Sequence, residues 1–316
     1  MPEGIQNALL IYNPTSGRRT SRRFEEIEKA VHILKDAGIT VEIAATTAPD
    51  TARGMAHLAV GQRRDLVIVC GGDGTVNEVV NGLAGSPIPM ALLPAGTANI
   101  LAKELGIPWD IPHAARLIRG GIVKRIALGI ASPLDLDGDG PPAHELIGRY
   151  FLCVAGAGPD GAIVNGVDEI FKKNAGILAY WAEGMRQLVR YDFPEIRVRS
   201  GGRERLATII VIGRTAHYGG PFKITTEASL FEDSFEMLTN SAVSRFQYLA
   251  CLPALWMGKL RTIKGIDAWK DTEVICEPAS DRMVYAQVDG EPIGPLPLAF
   301  RIVPDALSII VPAPRT

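Results

Sequence analysis

The feature that most constrains the fold is an apolar run that leads directly into a glycine-rich turn and a helix. The run covers Asp65–Cys70, and the turn reads Gly71-Gly72-Asp73-Gly74-Thr75. A continuous apolar run of this length is typical of a parallel strand that is covered on both faces. Apolar residues then recur at helical spacing through Val76–Leu83, which predicts a helix beginning near Thr75. The stretch therefore predicts the strand–turn–helix unit of a parallel α/β sheet.

This turn has the chemistry of a phosphate site. Glycine lacks a Cβ atom, so the backbone at Gly71–Gly74 can approach a ligand closely. A helix N-terminus adds N–H groups and partial positive charge, which suit an anion. Asp73 supplies a carboxylate of the kind that holds a nucleotide-bound Mg²⁺. A tight turn before a capped helix is the alternative interpretation of the same residues. The neighbouring elements are needed to choose between this turn and a phosphate site.

Strands and helices alternate through the first 126 residues. Apolar runs predict strands at Ala8–Tyr12, Val41–Ala45, Asp65–Cys70 and Met90–Leu93, each followed by a helical pattern. Such alternation predicts a doubly wound parallel sheet. Each strand ends in a polar loop: Asn13–Gly17, Thr46–Thr47, Gly71–Thr75 and Pro94–Asn99. Because ligands of these sheets bind beyond the carboxyl ends of the strands, the four loops predict one nucleotide site.

A different pattern begins near residue 126. Strand-like runs follow at 150–154, 195–198, 207–212, 235–238, 272–277 and 284–288, with helix-like stretches near 177–189 and 246–257. A succession of strands after an α/β region predicts a separate, mainly antiparallel β domain. A last strand, Leu307–Val311, is a candidate to return to the first sheet.

Composition narrows the class of protein and of partner. The 316 residues suffice for two domains, and a net charge of −2 gives no sign of general nucleic-acid binding. The four cysteines have no metal-ligand spacing and indicate reduced thiols in a cytosolic protein. We see neither a signal peptide nor an apolar run of about 20 residues. We therefore expect a cytoplasmic protein that meets any lipid substrate at a membrane surface.

Four polar motifs together span nearly the whole chain. They are Asn13-Pro14-Thr15-Ser16-Gly17, Gly71-Gly72-Asp73-Gly74-Thr75-Val76-Asn77-Glu78, Leu93-Pro94-Ala95-Gly96-Thr97-Ala98-Asn99 and Asp289-Gly290-Glu291-Pro292. In this order they resemble the motifs of the diacylglycerol kinase-type lipid kinases, a superfamily that includes sphingosine and ceramide kinases. NAD kinases share Gly-Gly-Asp-Gly-Thr, whereas Asn77-Glu78 and the loop at 94–99 favour the lipid-kinase branch.

The resemblance implies an α/β nucleotide-binding domain at 1–126, completed by 300–316, and a β-sandwich lipid-substrate domain at 127–299, with the active site in the cleft between them. It implies ATP and Mg²⁺ as cofactors. The implied catalytic carboxylates are Asp289 and Glu291, and the resemblance leaves open which of the two is the base. Asp73 would support Mg²⁺. The implied nucleotide-binding residues are Asn13, Pro14, Thr15, Ser16, Gly17, Thr46, Gly71, Gly72, Asp73, Gly74, Thr75, Val76, Asn77, Glu78, Gly96, Thr97 and Asn99.

The segment Asp289-Gly290-Glu291 suits phosphoryl transfer, because a carboxylate near the acceptor hydroxyl can take its proton while Mg²⁺ neutralises the phosphate. Asp-Gly is also a common hairpin turn, and the other three motifs favour the catalytic interpretation.

A second metal site is implied by the resemblance at Ala228–Phe235. Its ligands would be Asp233 and the carbonyl groups of Leu230 and Phe235. Ser234 stands where relatives usually have glycine, and a solvated turn is the alternative interpretation.

We expect an ATP- and Mg²⁺-dependent kinase that phosphorylates a lipid hydroxyl, with diacylglycerol as the leading acceptor and phosphatidic acid as its product. The alternative acceptors are a sphingoid base, a phosphatidylglycerol-like lipid or NAD. A non-catalytic nucleotide-binding regulator is the alternative from another class. The expected partners are the lipid substrate, met by transient peripheral contact at the inner face of the membrane, and a second copy of the chain as an option. Nucleic acid is not an expected partner.

Three further features have plain explanations. Gly156–Gly161 matches the dinucleotide fingerprint, but the antiparallel surroundings favour a bulged turn. Asp135–Gly140 resembles the start of an EF-hand loop and lacks the glutamate at its twelfth position. For the basic cluster we favour a solvated helix face over contact with phosphate or anionic lipid; the cluster is Arg18, Arg19, Arg22 and Arg23.

Overall fold

A computed structural model of the chain describes residues 4–17, 20–134, 148–166, 191–218, 222–241 and 245–314. The chain divides into two compact units. Unit 1 comprises Met1–Leu128 and Pro304–Thr316, and unit 2 comprises Gly129–Val303. The predicted loop at 135–140, the predicted helix at 177–189 and the side chains of Arg18 and Arg19 lie outside the described residues.

Unit 1 contains the strand–helix alternation that the sequence predicts. Its elements are β1 (Asn7–Tyr12), α1 (Thr20–Lys35), β2 (Thr40–Ala45), α2 (Thr51–Gly61), β3 (Leu66–Gly71), α3 (Asp73–Leu83), β4 (Met90–Pro94), α4 (Ile100–Glu104) and α5 (Ile111–Gly120). The strands pair in parallel in the order β2-β1-β3-β4. The predicted parallel α/β sheet is therefore confirmed.

Local chemistry explains where these elements begin and end. All six residues of β3 are buried, as expected for a central strand covered on both faces. After α1 the chain reverses at Gly38, whose φ of 84° is readily adopted only by glycine. Asp110 caps the N-terminus of α5, because its side chain accepts a hydrogen bond from the N–H group of His113 at 2.8 Å.

Unit 2 is built mainly from antiparallel strands, as predicted. Its elements are β5 (Ile122–Pro133), β6 (Arg149–Phe151), β7 (Val154–Ala157), α6 (Pro159–Gly166), β8 (Ile196–Ser200), β9 (Arg203–Ala207), β10 (Ile209–Gly213), β11 (His217–Tyr218), β12 (Phe222–Lys223), β13 (Phe235–Asn240), α7 (Arg245–Ala250), α8 (Leu252–Trp256), a 3-10 turn (Leu260–Thr262), β14 (Ile266–Asp271), β15 (Glu273–Pro278), β16 (Tyr285–Val288), β17 (Glu291–Pro295) and β18 (Leu298–Val311). Strand β5 begins in unit 1, and β18 ends there.

One sheet of unit 2 runs in the order β14-β13-β10-β7-β16-β17, and its neighbouring strands are antiparallel. A second set of antiparallel strands joins β18, β15, β8 and β9. Buried aromatic rings fill part of the core: Phe151 stacks on Phe235 with centroids 5.6 Å apart and meets Phe300 edge-on at 6.4 Å.

The last strand confirms one prediction and changes its length. The C-terminal part of β18 lies parallel to β4, with Ile309 opposite Met90, so the chain does return to the first sheet. The strand begins at Leu298 rather than at Leu307. Two exposed residues in the middle of the strand, Pro304 and Asp305, interrupt its apolar pattern, so the sequence shows only the C-terminal part.

Two predictions in unit 2 need correction. The strand predicted at 150–154 is interrupted, because Leu152 and Cys153 separate β6 from β7. The segment Gly156–Gly161 forms the end of β7 and the start of α6 rather than a bulged turn. The sequence analysis also missed β5, β9, β14 and β17 and the two-residue strands β11 and β12. Strands β14 and β17 contain no fully buried residue, and most of β9 and the first four residues of β5 are exposed, so these stretches lack the apolar run of a buried strand.

Candidate active site

One candidate site is a set of loops at the carboxyl ends of the strands of unit 1. Asn13 lies at its centre. The Nδ2 group of Asn13 donates to the hydroxyl of Thr75 at 3.2 Å, and its Oδ1 atom accepts from the N–H and hydroxyl groups of Thr15 at 2.9 and 2.8 Å. The Asn13 N–H group donates to the carbonyl of Cys70 at 3.0 Å. One side chain therefore joins the loop after β1 to the first turn of α3.

The loops after β3 and β4 approach each other through glycine. A Cβ atom added to Gly96 would lie 2.5 Å from the Cα atom of Gly72 and 2.9 Å from Oδ1 of Asn99. Asn99 holds this turn closed, because its Oδ1 accepts from the Gly96 N–H group at 2.9 Å and its Nδ2 donates to the Gly96 carbonyl at 3.1 Å. Close packing of two backbones requires glycine at both positions.

Helix α3 presents its N-terminus at this place. Gly72 precedes its first turn in an extended conformation and provides no side-chain cap. An eleven-residue helix with such an end favours an anion near its first N–H groups. The glycine contacts and this helix end fit the phosphate groups of a nucleotide.

The side chain of Asp73 links the start of α3 to the start of α4. Its Oδ1 atom accepts from the N–H group of Ile100, the first residue of α4, at 2.7 Å. The carboxylate is a hard oxygen donor of the kind that Mg²⁺ prefers, so the residue type fits the implied metal. One of its oxygens is shared with the start of the next helix.

Three of the other expected nucleotide-binding residues stabilise local structure. Glu78 accepts from the N–H group of Ala52 at 3.0 Å and so caps the first turn of α2. Asn77 is 1% exposed, and its carbonyl and Oδ1 atoms accept from the Asn81 side chain. Thr46 extends the β-ladder by donating its N–H group to the carbonyl of Tyr12 at 2.9 Å.

Arg23 is a residue whose role the sequence analysis missed. It is 6% exposed, and its Nη1 group donates to the carbonyl of Ala95 at 3.0 Å. It therefore ties α1 to the loop after β4, whereas its neighbour Arg22 is exposed. The basic cluster is not one uniform solvated face.

A second candidate site is the turn Asp289–Glu291 in unit 2. The backbone of Asp289 has a φ of 48°, a left-handed conformation that Asp tolerates better than most residues. Both oxygens of its carboxylate accept hydrogen bonds from the backbone: Oδ2 from Leu152 at 2.8 Å, and Oδ1 from Cys153 and Val154 at 2.9 Å each. These donors explain why the predicted strand at 150–154 is interrupted.

Glu291 has a different environment from Asp289. It begins β17, and its Oε2 atom pairs with Nη2 of Arg149 at 2.6 Å. The side chains of Glu291 and Arg149 are 33% and 31% exposed. Asp289 is therefore held by three backbone N–H groups, whereas the partner of Glu291 is the side chain of Arg149, and both carboxylates are partly exposed.

Two further polar residues support the turn, and the sequence analysis named neither. The Oε1 atom of Gln287 accepts from the Gly290 N–H group at 2.8 Å, and its Nε2 donates to Oδ2 of Asp160 at 2.7 Å. The hydroxyl of Tyr218 donates to the other Asp160 oxygen. Desolvation raises the pKa of Asp160, while these two hydrogen bonds act in the opposite direction. A polar residue on the buried face of β16 was the available sequence signal for Gln287.

The implied metal site at Ala228–Phe235 does not fit the residues present. The carbonyl of Leu230 accepts from Nη2 of Arg214 at 2.8 Å. Asp233 is exposed, and Phe235 is buried in β13, where it pairs with Asp271. Among the residues that the structure describes, no group of three or more His, Cys, Asp or Glu side chains is arranged to hold a metal ion.

The chain resembles known proteins along nearly its whole length. Residues 7–131 match the family described as the diacylglycerol kinase catalytic domain, and residues 153–311 match the YegS C-terminal NAD kinase beta sandwich-like domain. A diacylglycerol kinase of Bacillus subtilis is 28% identical over 98% of this chain and 97% of its own. A diacylglycerol kinase of Mycobacterium tuberculosis is 30% identical over 98% of this chain and 96% of its own. The chain belongs to the bacterial-type diacylglycerol kinase family.

The fold agrees with this family. A crystal structure of a diacylglycerol kinase from Bacillus anthracis superposes with a TM-score of 0.71 at 20% identity, and the match covers 98% of each chain. Both predicted parts of the fold class are confirmed: a parallel α/β sheet and a mainly antiparallel β-sandwich.

Membership of this family makes the chain a lipid kinase, which is a phosphotransferase with ATP as the phosphoryl donor and, typically, a divalent metal ion. Across the described ranges, none of the helices combines the length and the apolar character needed to cross a bilayer.

Proposed function

We propose that this lipid kinase transfers the γ-phosphate of ATP to the free hydroxyl of diacylglycerol and releases phosphatidic acid and ADP. The observation that carries the proposal is the turn Asp289–Glu291, where one carboxylate is locked by three backbone N–H groups and the other is a third exposed. The names of the relatives from Bacillus subtilis and Mycobacterium tuberculosis support diacylglycerol as the acceptor.

In this proposal unit 1 binds the nucleotide. The backbone at Gly72 and Gly96 and the first turn of α3 hold the phosphate groups, and the loops at 13–17 and 94–99 complete the site. Mg²⁺, bound with the help of Asp73, would neutralise charge on the phosphates. Glu78 and Asn77 contribute by fixing α2 and α3 rather than by direct contact.

Glu291 acts as the general base. Its carboxylate accepts the proton of the acceptor hydroxyl as the hydroxyl oxygen forms a bond to the γ-phosphorus, and the bond from that phosphorus to the bridging oxygen of ADP breaks. Arg149 holds Glu291 in place through the ion pair at 2.6 Å. Asp289 is a positioning residue, because its oxygens are bound to the backbone of Leu152–Val154.

A lipid acceptor requires contact with a membrane surface, and we place that contact on α7 and α8 with the residue that follows. Phe246, Trp256 and Met257 are 72%, 74% and 63% exposed. Exposed large apolar side chains of this kind enter the interface of a bilayer. Flotation with anionic liposomes tests this part: W256S should bind less than the wild type, and equal binding would contradict it.

The test of the proposed reaction is transfer of label from γ-labelled ATP to lipids in mixed micelles with Mg²⁺. The panel contains diacylglycerol, a sphingoid base and phosphatidylglycerol, with NAD as a soluble control acceptor. We expect labelled phosphatidic acid as the main product. If another lipid is labelled, that lipid is the acceptor and the proposed phosphoryl transfer still holds. If only NAD is labelled, the assignment of a lipid acceptor is wrong. Nucleotide binding without transfer to any acceptor would favour a regulator.

A further inference from the structure

The loop between β12 and β13 closes around a buried arginine. Arg214 follows β10 directly, and no part of the residue is exposed to solvent. Its Nη2 group donates to the carbonyl of Leu230 at 2.8 Å. Its Nη1 group donates to the carbonyls of Glu232 and Ser234 at 2.9 and 3.3 Å. Three alternate residues of the loop, Leu230, Glu232 and Ser234, therefore direct their carbonyl oxygens at one guanidinium group.

The guanidinium keeps its charge in this position. Burial lowers the pKa of Arg214 to about 10, and the nearby carboxylates of Asp233 and Glu232 favour the charged form. At neutral pH the loop consequently encloses a monovalent cation. Carbonyl oxygens together with a carboxylate are also the donors that proteins offer to hard divalent cations.

A metal ion and Arg214 would compete for one of the implied ligands, the carbonyl of Leu230. The ligand set implied by the family resemblance includes the Leu230 carbonyl and the Asp233 carboxylate, and that carbonyl is bound to Nη2 of Arg214. A divalent ion on this oxygen would lie within a few ångströms of the guanidinium, where repulsion between like charges is strong. The cation that binds these carbonyl groups is therefore part of the chain itself.

We propose that Arg214 takes the place of a divalent metal ion in the loop Leu230–Phe235, so that unit 2 needs no structural metal. The guanidinium draws together the three carbonyl groups and balances the charge of Asp233. The shape of the loop then depends on a side chain rather than on the supply of an ion.

The substitution reaches the candidate active site through the backbone. The N–H group of Arg214 donates to the carbonyl of Cys153 at 2.8 Å, and the N–H group of Cys153 donates to Oδ1 of Asp289 at 2.9 Å. The residue that fills the loop is thus two hydrogen bonds away from the carboxylate that fixes the turn at 289–291.

Thermal unfolding of the nucleotide-free protein tests the proposal. The wild type and D233N are each melted in EDTA and in millimolar MgCl₂ or CaCl₂ at matched ionic strength. We expect the wild type to have the same Tm in all three solutions within about 1 °C, and D233N to be lowered equally in all three. A rise of several degrees in the wild type with a divalent ion, absent in D233N, would overturn the proposal.

A third variant tests whether the two kinds of cation are equivalent. R214M removes the charge and keeps much of the volume, so we expect a Tm lower by several degrees in EDTA and a partial recovery in CaCl₂. R214M combined with D233N should show no recovery. A Tm of R214M equal to that of the wild type in EDTA would overturn the role of Arg214. If R214M does not fold, the melting curves of the wild type and D233N still test whether a divalent ion binds in the loop.

Discussion

The glycine loops of unit 1 and the carboxylate turn of unit 2 are constructed in opposite ways. In unit 1 the site is made of backbone: Gly72 and Gly96 pack without side chains, and α3 offers N–H groups of its first turn. In unit 2 the site is made of side chains held by a network, in which Asp160, Gln287 and three backbone N–H groups fix the turn at Asp289.

This difference determines which mutations the loops of unit 1 and the turn of unit 2 tolerate. A backbone site depends on the absence of atoms, so an added methyl group damages it. A side-chain network depends on matched donors and acceptors, so the loss of one charge or one oxygen damages it while volume changes little. The following variants are chosen to separate these two kinds of sensitivity.

The largest effect is expected for E291Q. The amide cannot accept the proton of the acceptor hydroxyl, so kcat should fall by about 10²- to 10⁴-fold, while ATP binding stays close to that of the wild type. Radiometric kinetics with diacylglycerol and a nucleotide-binding assay measure the two quantities. E273Q is the matched control, because it removes an ion pair of similar length, to Arg301 at 2.7 Å, on an exposed part of β15. Activity of E291Q within about twofold of the control would refute the assigned base.

D289N should follow, with an effect on both stability and turnover. The amide keeps the size of the carboxylate but has one acceptor oxygen in place of two, so at least one of the three backbone N–H bonds is lost. We expect the free energy of unfolding to fall by about 2–4 kcal/mol, since hydrogen bonds to a charged group contribute more than neutral ones. Urea unfolding and kcat are measured together.

The control for D289N is D305N. Asp305 has a φ of 49°, nearly the same left-handed backbone as Asp289, and its side chain is exposed. A small change in D305N beside a large one in D289N assigns the loss to the carboxylate and not to the conformation. Equal losses would contradict the role given to the three N–H groups.

The variant G96A tests the loops of unit 1, where two backbone segments pack against each other. Its Cβ atom would lie 2.5 Å from Gly72, so the two loops must separate. Overpacking of this kind costs about 1–3 kcal/mol, and we expect about a 10- to 100-fold rise in the KM for ATP with kcat for the acceptor less affected. G54A is the control, because a Cβ atom there meets nothing within 4 Å and the residue lies inside α2. An unchanged KM for ATP in G96A would exclude these loops from the nucleotide site.

The smallest effect is a pH dependence of stability that D160N should remove. Desolvation raises the pKa of Asp160 in the folded chain above its ordinary value of 3.8. The stabilising contribution of this carboxyl group is therefore complete below pH 3.8 and is lost as the pH rises through the folded pKa. Because the amide introduced by D160N cannot ionise, the stability of this variant relative to the wild type should increase with pH across that window and then level off.

Urea unfolding between pH 3.5 and 8, a range of about four to five pH units around that window, measures this difference. The exposed D281N serves as the control and should follow the wild type at every pH. A constant difference between D160N and the wild type would show that Asp160 carries the same charge in the folded and unfolded chains.

Much of unit 1 could be predicted from the sequence, because its signals are local. The buried run before Gly71, the helical spacing after Thr75 and the polar loops each lie within a few residues of one another. The boundaries of β1–β4 agree with the predicted strands to within about one residue, and α3 begins at Asp73, close to the predicted Thr75. The requirement for glycine at positions 72 and 96 is steric and appears directly as a motif.

The turn in unit 2 was only half predictable. The motif Asp289-Gly290-Glu291 indicated two carboxylates, but the motif alone does not show which of them is the base. Their roles separate only when the partners are known, and these are distant: Leu152 is 137 residues from Asp289, and Arg149 is 142 residues from Glu291. Asp160 and Gln287 meet for the same reason, across 127 residues of sequence.

By itself, the sequence determined the period of each element, the parallel sheet implied by alternation, and the glycine-rich turn before α3, because these follow from local sterics and burial. Tertiary structure alone decided that Asp289 is locked, that Glu291 is accessible, and that Arg214 fills the loop at 230–235. Each of these outcomes depends on which donor reaches which acceptor after the strands pair. No local pattern contains that information, since the competing partners have the same chemical type.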